Sequence, residues 1–491
     1  MLFNSYGFVF LFFPLVLAGL AFCRKAEKGF RRGESLEKIY LFAVSLIFYG
    51  WRRPEYLPVL IGSMAVNYGL CRQMEDWDAL LSKTAAASGT GREKAGRRKK
   101  GIVTWGIVFN LGLLGIFKYA DTGGFVPTGI SFFTFQQISY LVDSYRGETK
   151  GYSFDEYALF VSFFPQLIAG PIVLHNETIP QFREPEKRRI NYENFSRGIY
   201  IFAVGLFKKV IIADTFGIPM DYAFGVAYNL NTLETFLMSL CYTFQLYFDF
   251  SGYCDMAIGI SGMFNIALPH NFNSPYKALS ITDFWDRWHM SLTRFLKTYI
   301  YIPLGGNRKG KIRTYINVMI VFLVSGIWHG ANWTFVLWGA LHGILSCLNR
   351  MFYKQWNKLW KPIRWGATFL CVDLLWVIFR ADNIATAMAF FKQLFSLKGF
   401  QIREELLMGF RLEEFAFLEE RIPFLGYLPD HVTGFYLWLF LLIAFITVLF
   451  FKNSGETEFK PTLGRSLITV ACMVWSVLSL AGISTFLYFN F

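Results

Sequence analysis

The sequence has few charged residues and lacks the short motifs that mark many soluble enzymes. Charged residues make up only 17% of the 491 positions, whereas hydrophobic residues make up 54% and phenylalanine alone occurs 55 times. This composition excludes an ordinary soluble enzyme and favours a polytopic membrane protein. No G-x-S-x-G elbow and no H-x-x-x-H spacing occurs, so neither a serine nucleophile nor a metal site is expected.

The seven cysteines and the excess of basic residues exclude further classes of protein. The cysteines are scattered without paired spacing, so we expect no disulfide framework. The net charge of +13 could suggest nucleic acid, but the basic residues lie in short loops between apolar segments. The positive-inside rule explains them better and places the loop that begins at Arg24 in the cytoplasm. We therefore expect the lipid bilayer as partner, no nucleic acid, and an N-terminus outside.

Apolar segments recur along the whole chain, and their lengths indicate roughly ten to twelve membrane segments. Gln136 and Gln137 make one of these segments unsuited to face lipid, so we place it in the interior. Pro165 and Pro171 should interrupt another. The stretch from Asp283 to Tyr301 is amphipathic but too charged to span freely, which predicts an interfacial or re-entrant helix. The expected fold is all-α and polytopic, with re-entrant helices around a central cavity in a single domain of residues 1–491.

The longest uncharged run extends from Thr314 to Asn349 and contains Trp328, His329 and Gly330. As one helix, its 36 residues would be roughly 54 Å long, against a hydrocarbon core of about 30 Å. The run must therefore break, tilt or fold back, and Gly330-Ala331-Asn332 is the predicted break. Irregular backbone at membrane depth persists only where protein or a water-filled cavity surrounds it. We interpret His329 as part of a cavity wall.

His329 and His289 are the candidate catalytic pair. For either residue alone, a buried structural histidine that donates one hydrogen bond is the simpler interpretation. In acyl transfer, however, one imidazole can take the proton of an acceptor hydroxyl while a second group donates to the thioester carbonyl. If the reaction is acyl transfer, His329 would have the first role and His289 the second. On helices, Ser325 and Asn332 would share a face with His329, and Asp286 with His289, where they could fix the tautomers.

Other polar or aromatic side chains in apolar sequence are weaker candidates. The candidates for substrate contact are Trp285, Asp286, Arg287, Trp328, Ser325, Asn332, Asn273 and Asp249. For the tryptophans, packing is the commoner role, and Arg287 could face solvent or lipid headgroups instead of a coenzyme phosphate. Asp249 should face protein, water or an interface, because an ionised group at the bilayer centre costs about 2.5–3.5 kcal/mol.

Several residues receive only a structural interpretation. Among the remaining histidines, we expect His342 to form a core or interhelical hydrogen bond. His175, which follows the Gly170-Pro171 turn, and His431 have no assigned chemistry. His270 is left undecided between a structural role and a place on the substrate path. Lys208 and Lys209, near the end of an apolar segment, are expected to snorkel to the interface.

Five blocks of sequence between Pro127 and Gly343 carry a resemblance to a known family. They are PTGISFFTFQQISYLVDSYRG from Pro127, FFPQLIAGPI from Phe163, YFDFSGYCDMAIG from Tyr247, DFWDRWHMSLTRFLKTYIYIPLGG from Asp283 and SGIWHGANWTFVLWGALHG from Ser325. In this order they resemble the membrane-bound O-acyltransferases, in the bacterial branch of alginate O-acetylation and teichoic-acid D-alanyl transfer. The C-terminal TFLYFNF from Thr485 resembles the usual aromatic ending of that branch.

The resemblance implies a fold, a site and a reaction. It implies an all-helical membrane fold with a central cavity and core motifs in residues 127–343. It places the family's nearly invariant histidine at His329 and its second position, histidine or asparagine, at His289. The implied donor is a cytoplasmic acyl thioester such as acetyl-CoA, with no bound cofactor. The implied acceptor is a hydroxyl of an extracytoplasmic glycan or of an acetyl-relay partner protein at the bacterial plasma membrane.

Three alternatives stay open at this point. The length of the chain and the long connection after Arg380 resemble the polysaccharide O-acetyltransferases more than the D-alanyl transfer proteins. A D-alanyl or other carrier-dependent acyltransferase would nevertheless use the same histidines. A transporter that moves acyl groups or glycan without catalysis, or a scaffold for an extracellular acetyltransferase, would not need them.

Overall fold

The computed structural model describes residues 1–27, 36–83, 89–120, 124–410, 433–480 and 486–487. Within these ranges the chain is helical and forms no strand. The prediction of an all-α fold is therefore confirmed. His431 and most of the aromatic C-terminal ending lie outside the described residues.

The α-helices differ widely in length. In chain order they are α1 (Phe13–Glu27), α2 (Leu36–Gly50), α3 (Leu57–Lys83), α4 (Gly89–Tyr119), α5 (Ile130–Arg146), α6 (Phe154–Ser162), α7 (Phe164–Leu167), α8 (His175–Arg183), α9 (Tyr192–Phe207), α10 (Asp214–Gly225), α11 (Thr232–Met263), α12 (Ile281–Arg287), α13 (Met290–Leu296), α14 (Lys311–His329), α15 (Trp333–Met351), α16 (Tyr353–Trp356), α17 (Lys361–Arg380), α18 (Ile384–Leu394), α19 (Thr433–Phe450) and α20 (Leu463–Leu478). In the described part of the chain, three π-helical segments adjoin them, at Gly7–Phe12, Lys208–Ala213 and Lys297–Tyr301.

Four helical stretches of the described chain are long and apolar enough to cross a membrane. They are Gly7–Ala26, Glu93–Tyr119, Lys311–His329 and Lys361–Arg380. Gly434–Phe450 and Leu463–Leu478 are shorter apolar helices. The protein is therefore a multi-pass membrane protein. The larger number of ten to twelve membrane segments, like the orientation of the N-terminus, stays a prediction.

The chain folds into two compact units. The first contains Met1–Val204, Tyr253–His270 and Phe459–Met473, and the second contains Gly205–Gly252, Asn271–Glu458 and Val474–Phe491. A single functional domain of residues 1–491 stays a prediction.

The first unit confirms two expectations about interrupted and interior helices. The side chains of Gln136 and Gln137 on α5 are buried, so this helix is an interior one as predicted. The segment with Pro165 is broken, because α6 ends at Ser162 and α7 begins at Phe164. The hydroxyl of Ser45 accepts the backbone N–H of Phe164 at 3.1 Å and so satisfies one donor that the break frees.

The second unit contains the predicted break in the uncharged run. Helix α14 ends at His329, Gly330 is extended, and α15 begins at Trp333, so the run forms a helical hairpin. The two helices approach closely at glycines. A Cβ atom on Gly326 would lie 2.4 Å from the carbonyl oxygen of Phe335, and one on Gly339 would lie 2.4 Å from that of Phe322. Only glycine fits at these contacts, which fix the hairpin that ends in His329.

The amphipathic stretch from Asp283 to Tyr301 is not one continuous helix, so the prediction was wrong in that respect. Its interfacial or re-entrant position stays a prediction. The stretch breaks at Trp288, which is extended, and at His289, which has left-handed backbone angles. Asn271 explains the break. Its carbonyl oxygen accepts the N–H of Met290 at 2.9 Å, and its side-chain Oδ1 accepts that of Ser291 at 3.1 Å. These bonds cap the start of α13, so a new helix begins there and α12 does not continue.

Candidate active site

His329 is the last residue of α14 and is surrounded by aromatic rings. Its side chain is buried, with 5% of its surface exposed. The centroid of the imidazole lies 4.9 Å from that of Trp328, 5.3 Å from that of Trp338 and 5.2 Å from that of Phe379, each in an edge-to-face arrangement. Packing against three rings fixes the orientation of the imidazole in a site of low polarity.

His289 occupies the break between α12 and α13, outside the four membrane-crossing stretches. Its backbone angles, φ 46° and ψ 51°, lie in the left-handed region, which histidine and asparagine tolerate better than most residues. Only 1% of its surface is exposed, and its ring packs edge-to-face on Phe250 with centroids 4.8 Å apart. Burial lowers the pKa of His289 to about 3, so the ring is neutral at physiological pH.

The tautomer of His289 depends on its contact with Asn271. Nδ1 lies 3.4 Å from Asn271 Oδ1, the oxygen that also accepts the N–H of Ser291. A hydrogen bond here would place the proton on Nδ1 and leave a lone pair on Nε2. At 3.4 Å the contact is longer than an ordinary N–H···O bond, so it constrains the proton only weakly.

The two imidazoles, 40 residues apart in the sequence, meet the same indole. The ring centroid of Trp328 lies 6.2 Å from that of His289 and 4.9 Å from that of His329. The structure thus brings the predicted pair into one neighbourhood of the second unit. The hairpin of α14 and α15 positions one histidine, and the Asn271 cap positions the other.

A cavity of about 190 Å³ lies among α12, α13, α14 and α15. Its walls include Trp285 and Asp286 from α12 and Ser325 from α14, one turn before His329. Two basic side chains, Lys297 and Arg350, also line it. Neither of the two imidazoles is among its lining residues. The helices that flank His289 and the helix that ends at His329 therefore wall this cavity. That His329 itself is part of a cavity wall stays a prediction.

Trp285 lies between the cavity and the rings around His329. It lines the cavity, and its indole packs edge-to-face on Trp338 with centroids 5.6 Å apart. Its Nε1–H donates a hydrogen bond of 3.2 Å to Nδ1 of His342, which is fully buried on α15. The prediction that His342 forms an interhelical hydrogen bond is confirmed.

Two residues expected to orient the histidines are placed differently. Asn332 does not share a helical face with His329, because α14 ends at His329. It precedes the first residue of α15, is exposed, and donates to the carbonyl of Asp382 at 3.2 Å. Asp286 is separated from His289 by the helix break, and Asn271 lies beside the imidazole instead. Burial and the neighbouring Asp283 carboxylate raise the pKa of Asp286.

Arg287 and Asn273 tie the segment before α13 together. Nε of Arg287 donates to Asp283 Oδ1 at 2.7 Å, and its Nη1 donates to the carbonyl of Asn273 at 3.2 Å. The side-chain oxygen of Asn273 accepts a hydrogen bond from Asn453 at 3.2 Å. These bonds give both residues a structural part, and a contact of either one with substrate stays a prediction.

Asp249 faces protein, as predicted, and its partner is Lys209. Nζ of Lys209 lies 2.7 Å from Asp249 Oδ1 and 2.7 Å from Asp214 Oδ1, and the backbone N–H of Leu487 donates to Asp249 Oδ2 at 3.1 Å. Only 2% of Lys209 is exposed, so the prediction that it snorkels was wrong. The two carboxylates hold the ammonium inside the protein. A contact of Asp249 with substrate stays a prediction.

The sequence did not single out four neighbours of the histidines, which are Asn271, Phe250, Trp338 and Phe379. The signal for Asn271 was the segment Asn271-Phe272-Asn273-Ser274 before Pro275, which favours a turn with local caps. The three aromatic rings carry no comparable signal, because 19% of the chain is aromatic.

Comparison with known proteins relates this chain to one family. A family model described as the membrane-bound O-acyltransferase family matches residues 73–379. The chain is 37% identical to the peptidoglycan O-acetyltransferase of Helicobacter pylori, with 100% of this chain and 98% of that protein covered. It is 38% identical to the probable alginate O-acetylase AlgI of Pseudomonas putida, covering 82% of each. It is 28% identical to the teichoic acid D-alanyltransferase of Bacillus subtilis over 50% of this chain and 64% of that protein.

Proposed function

The chain belongs to the membrane-bound O-acyltransferase family, and from that premise we propose that it moves an acetyl group from a cytoplasmic thioester to a hydroxyl of an extracytoplasmic polysaccharide. One observation carries the assignment of the site. His289 and His329 both pack against Trp328, and the helices that bear them wall the same cavity.

In the proposed step, His329 is the general base. The acceptor hydroxyl attacks the thioester carbonyl while His329 takes its proton, and the resulting imidazolium returns that proton to the departing thiolate. Proton transfer by a positioned imidazole contributes roughly 10²–10⁴ in rate. The aromatic rings around His329 support the role, because they hold the ring in one orientation.

His289 is proposed to donate a hydrogen bond to the carbonyl oxygen as negative charge develops there. A neutral ring supports this, because it carries an N–H without the cost of burying a charge. The role requires the proton on Nε2 when substrate is bound, and the long contact to Asn271 leaves that tautomer accessible.

The lining of the cavity supports an acyl thioester as donor substrate, and we propose that no cofactor is resident. Lys297 and Arg350 line it and could pair with the phosphates of acetyl-CoA. Thr282, Thr293 and Ser325 add hydroxyl groups that could bond the amides of a pantetheine arm. Trp285 separates this space from the rings around His329, so we propose that it borders the path of the acyl group.

The acceptor is proposed from the relatives. The Helicobacter pylori relative, of which 98% is covered, is named for peptidoglycan, and the Pseudomonas putida relative, of which 82% is covered, is named for alginate. We therefore propose a cell-surface glycan hydroxyl, with peptidoglycan tested first, or a partner protein that relays the acetyl group. The proposed location is the bacterial plasma membrane, with the N-terminus outside.

The test uses the full chain in membranes supplied with acetyl-CoA radiolabelled in the acetyl group. We expect label in base-labile ester linkage to glycan with the wild type, and a loss of roughly 10²–10⁴ in initial rate with His329→Ala. Glu184→Gln is the control, since it changes an exposed side chain of the first unit. Near-normal transfer by His329→Ala, with equal amounts of folded protein, would remove His329 from the mechanism.

The same membranes distinguish the carrier-dependent alternative. A D-alanyl transferase would label glycan or teichoic acid from a D-alanyl carrier protein and not from acetyl-CoA. The partial match to the teichoic acid D-alanyltransferase justifies the measurement with a D-alanyl carrier protein. Transfer from acetyl-CoA alone supports the acetyl donor.

A further inference from the structure

Three potential metal ligands converge in the first unit. One carboxylate oxygen of Asp143, one of Glu148 and one ring nitrogen of His175 all lie within 4.8 Å of one another. Asp143 is in the last turn of α5, and His175 is the first residue of α8. The chain folds back after α5 at Gly147, whose φ is 83°, and the N–H of Glu148 bonds to the carbonyl of Asp143 at 2.9 Å. This C-terminal turn places Glu148 beside Asp143.

His175 supplies an independent observation that points to a ligand. Only 1% of its surface is exposed, and neither ring nitrogen forms a hydrogen bond with any described residue. Nε2 lies 3.3 Å from Asp143 Oδ2 without hydrogen-bond alignment. A buried polar atom left without a hydrogen bond costs about 1–3 kcal/mol, so a partner at this position would be stabilising.

The ring of His175 is also held in place. Tyr140 and Tyr152 pack edge-to-face on it, with centroid distances of 5.7 Å and 5.6 Å. Because packing already fixes its orientation, the His175 ring would lose little conformational freedom on binding a metal.

The charged side chains around the cluster are compatible with a bound cation. Arg146 pairs with Asp143 at 3.0 Å. Among the described residues, no lysine, arginine or histidine lies within ion-pair distance of the Glu148 carboxylate. The nearby Arg183 is paired with Glu156 and stacks on Tyr152, with its guanidinium carbon 4.8 Å from the ring centroid. Glu148 is exposed, so the cluster is open to water on that side.

We propose that Asp143, Glu148 and His175 bind a divalent transition-metal cation, with Zn²⁺ as the first choice. One imidazole with two carboxylates suits zinc, and the exposed side leaves positions for water. Zinc binds such ligands at about 2.0–2.2 Å, so the three atoms must draw together slightly, and exposed Glu148 can move to do so. The ion ties the end of α5 to the start of α8 and takes no part in acyl transfer.

The sequence predicted no metal, because its criterion was histidine spacing along one helix. Here the ligands come from two helices, with His175 27 residues after Glu148. A protonated His175 that bridges the two carboxylates is the competing explanation of the same geometry. It requires no metal, so metal content decides between the two.

The test is the zinc content of the purified full chain, carrying an affinity tag without histidine. The protein in detergent is equilibrated with Zn²⁺, freed of excess metal and analysed by inductively coupled plasma mass spectrometry. We expect about one zinc per chain. Glu148→Gln changes an exposed side chain. Loss of a residue that only orients a metal ligand weakens binding by about 10–100-fold, so loss of the Glu148 carboxylate should weaken zinc binding at least as much. His175→Ala should abolish it.

Two matched variants and a second readout complete the experiment. Glu184→Gln alters an exposed glutamate outside the cluster, and His270→Ala removes another histidine of the first unit; both should bind zinc as the wild type does. Zinc should raise the melting temperature of the wild type but not that of Glu148→Gln. Mn²⁺ bound in a Glu148-dependent way would support the site with a different ion. No bound Zn²⁺ or Mn²⁺ in the wild type, or equal binding by Glu148→Gln, would overturn the proposal, whatever the transferase activity.

Discussion

The buried amides of the first unit and the buried histidines of the second are both enclosed by protein, but their neighbours differ. In the first unit, Gln137 Oε1 accepts hydrogen bonds from Asn67 at 2.7 Å and from the hydroxyl of Tyr157 at 3.1 Å, and its Nε2 donates to Ser63 at 2.7 Å. Asn110 donates to Asn67 at 2.6 Å. These polar groups satisfy one another across α3, α4, α5 and α6.

In the second unit, the imidazoles of His289 and His329 face aromatic rings. Edge-to-face packing on Phe250, Trp328 and Phe379 positions them. In a network of mutual hydrogen bonds, the polar atoms bond to one another and so stabilise the fold. Packing against aromatic rings fixes the orientation of an imidazole and requires fewer hydrogen bonds from its ring nitrogens. The difference suggests that changes in the amide network alter stability, whereas changes at the histidines alter reaction rate.

After that of His329→Ala, the largest expected effect is at His289. We expect His289→Ala to lose roughly 10²–10³ in turnover, as removal of an oxyanion donor does elsewhere. His289→Asn should retain more activity, because asparagine tolerates the left-handed backbone at this position and keeps an N–H donor. Initial rates of label transfer, normalised to folded protein, measure both. Equal rates for the two variants would argue against the donor role.

The second effect is on the stability of the amide network. Gln137→Leu leaves the hydroxyls of Tyr157 and Ser63 without that partner, which should lower the free energy of unfolding by about 2–3 kcal/mol. Turnover per folded molecule should stay near that of the wild type. Thermal melting in detergent, together with the transfer assay, separates the two quantities.

Gln136→Leu is the matched control for Gln137→Leu. It removes the adjacent buried amide, whose Oε1 has no hydrogen bond with a described residue. We expect a smaller loss of stability than for Gln137→Leu. An equal or larger loss would show that burial, and not the network, sets the cost.

The third effect tests whether Asn271 acts on the helix or on the imidazole. Asn271→Ala removes the oxygen that caps Ser291 and should destabilise the protein by about 1–2 kcal/mol. If His289 donates through Nε2, the variant should keep most of its turnover per folded molecule, because the proton is then free to leave Nδ1. A rate loss as large as that of His289→Ala would instead show that the Nδ1 contact is needed for the reaction.

The features predicted correctly from the sequence follow from one-dimensional constraints. A 36-residue uncharged run cannot cross a bilayer as one straight helix, so its break at Gly330 followed from length. The pair Gln136 and Gln137 is too polar for lipid, so its burial followed from composition. His329 and His289 were chosen from chemistry and from family resemblance. The structure places both against Trp328, and their catalytic roles stay a prediction.

The features that were missed depend on partners distant in sequence. The break at His289 is set by Asn271, 18 residues earlier. Lys209 is held inside by Asp249, 40 residues later, so a rule for isolated lysines misplaced it. Asp143 and His175 come together only when α5 and α8 pack. Local periodicity contains no information on such pairs. For this reason the continuity of the helix after Asp283 and the position of the Lys209 side chain were predicted wrongly.

The smallest expected effect is at Trp285, which belongs both to the cavity wall and to the ring cluster around His329. Trp285→Phe keeps an aromatic ring but removes the N–H that donates to His342, so we expect a loss of about 1 kcal/mol in stability. Trp356→Phe is the matched control, because it removes an indole donor that bonds to the carbonyl of Leu279 at 2.8 Å and lies outside the cavity lining. If Trp285 borders the acyl path, Trp285→Phe should also raise the KM for the thioester by a few-fold while Trp356→Phe does not, since a smaller ring changes the wall that the acyl chain contacts. The same KM for both variants would make Trp285 a packing residue and would leave His329 to be reached by another path.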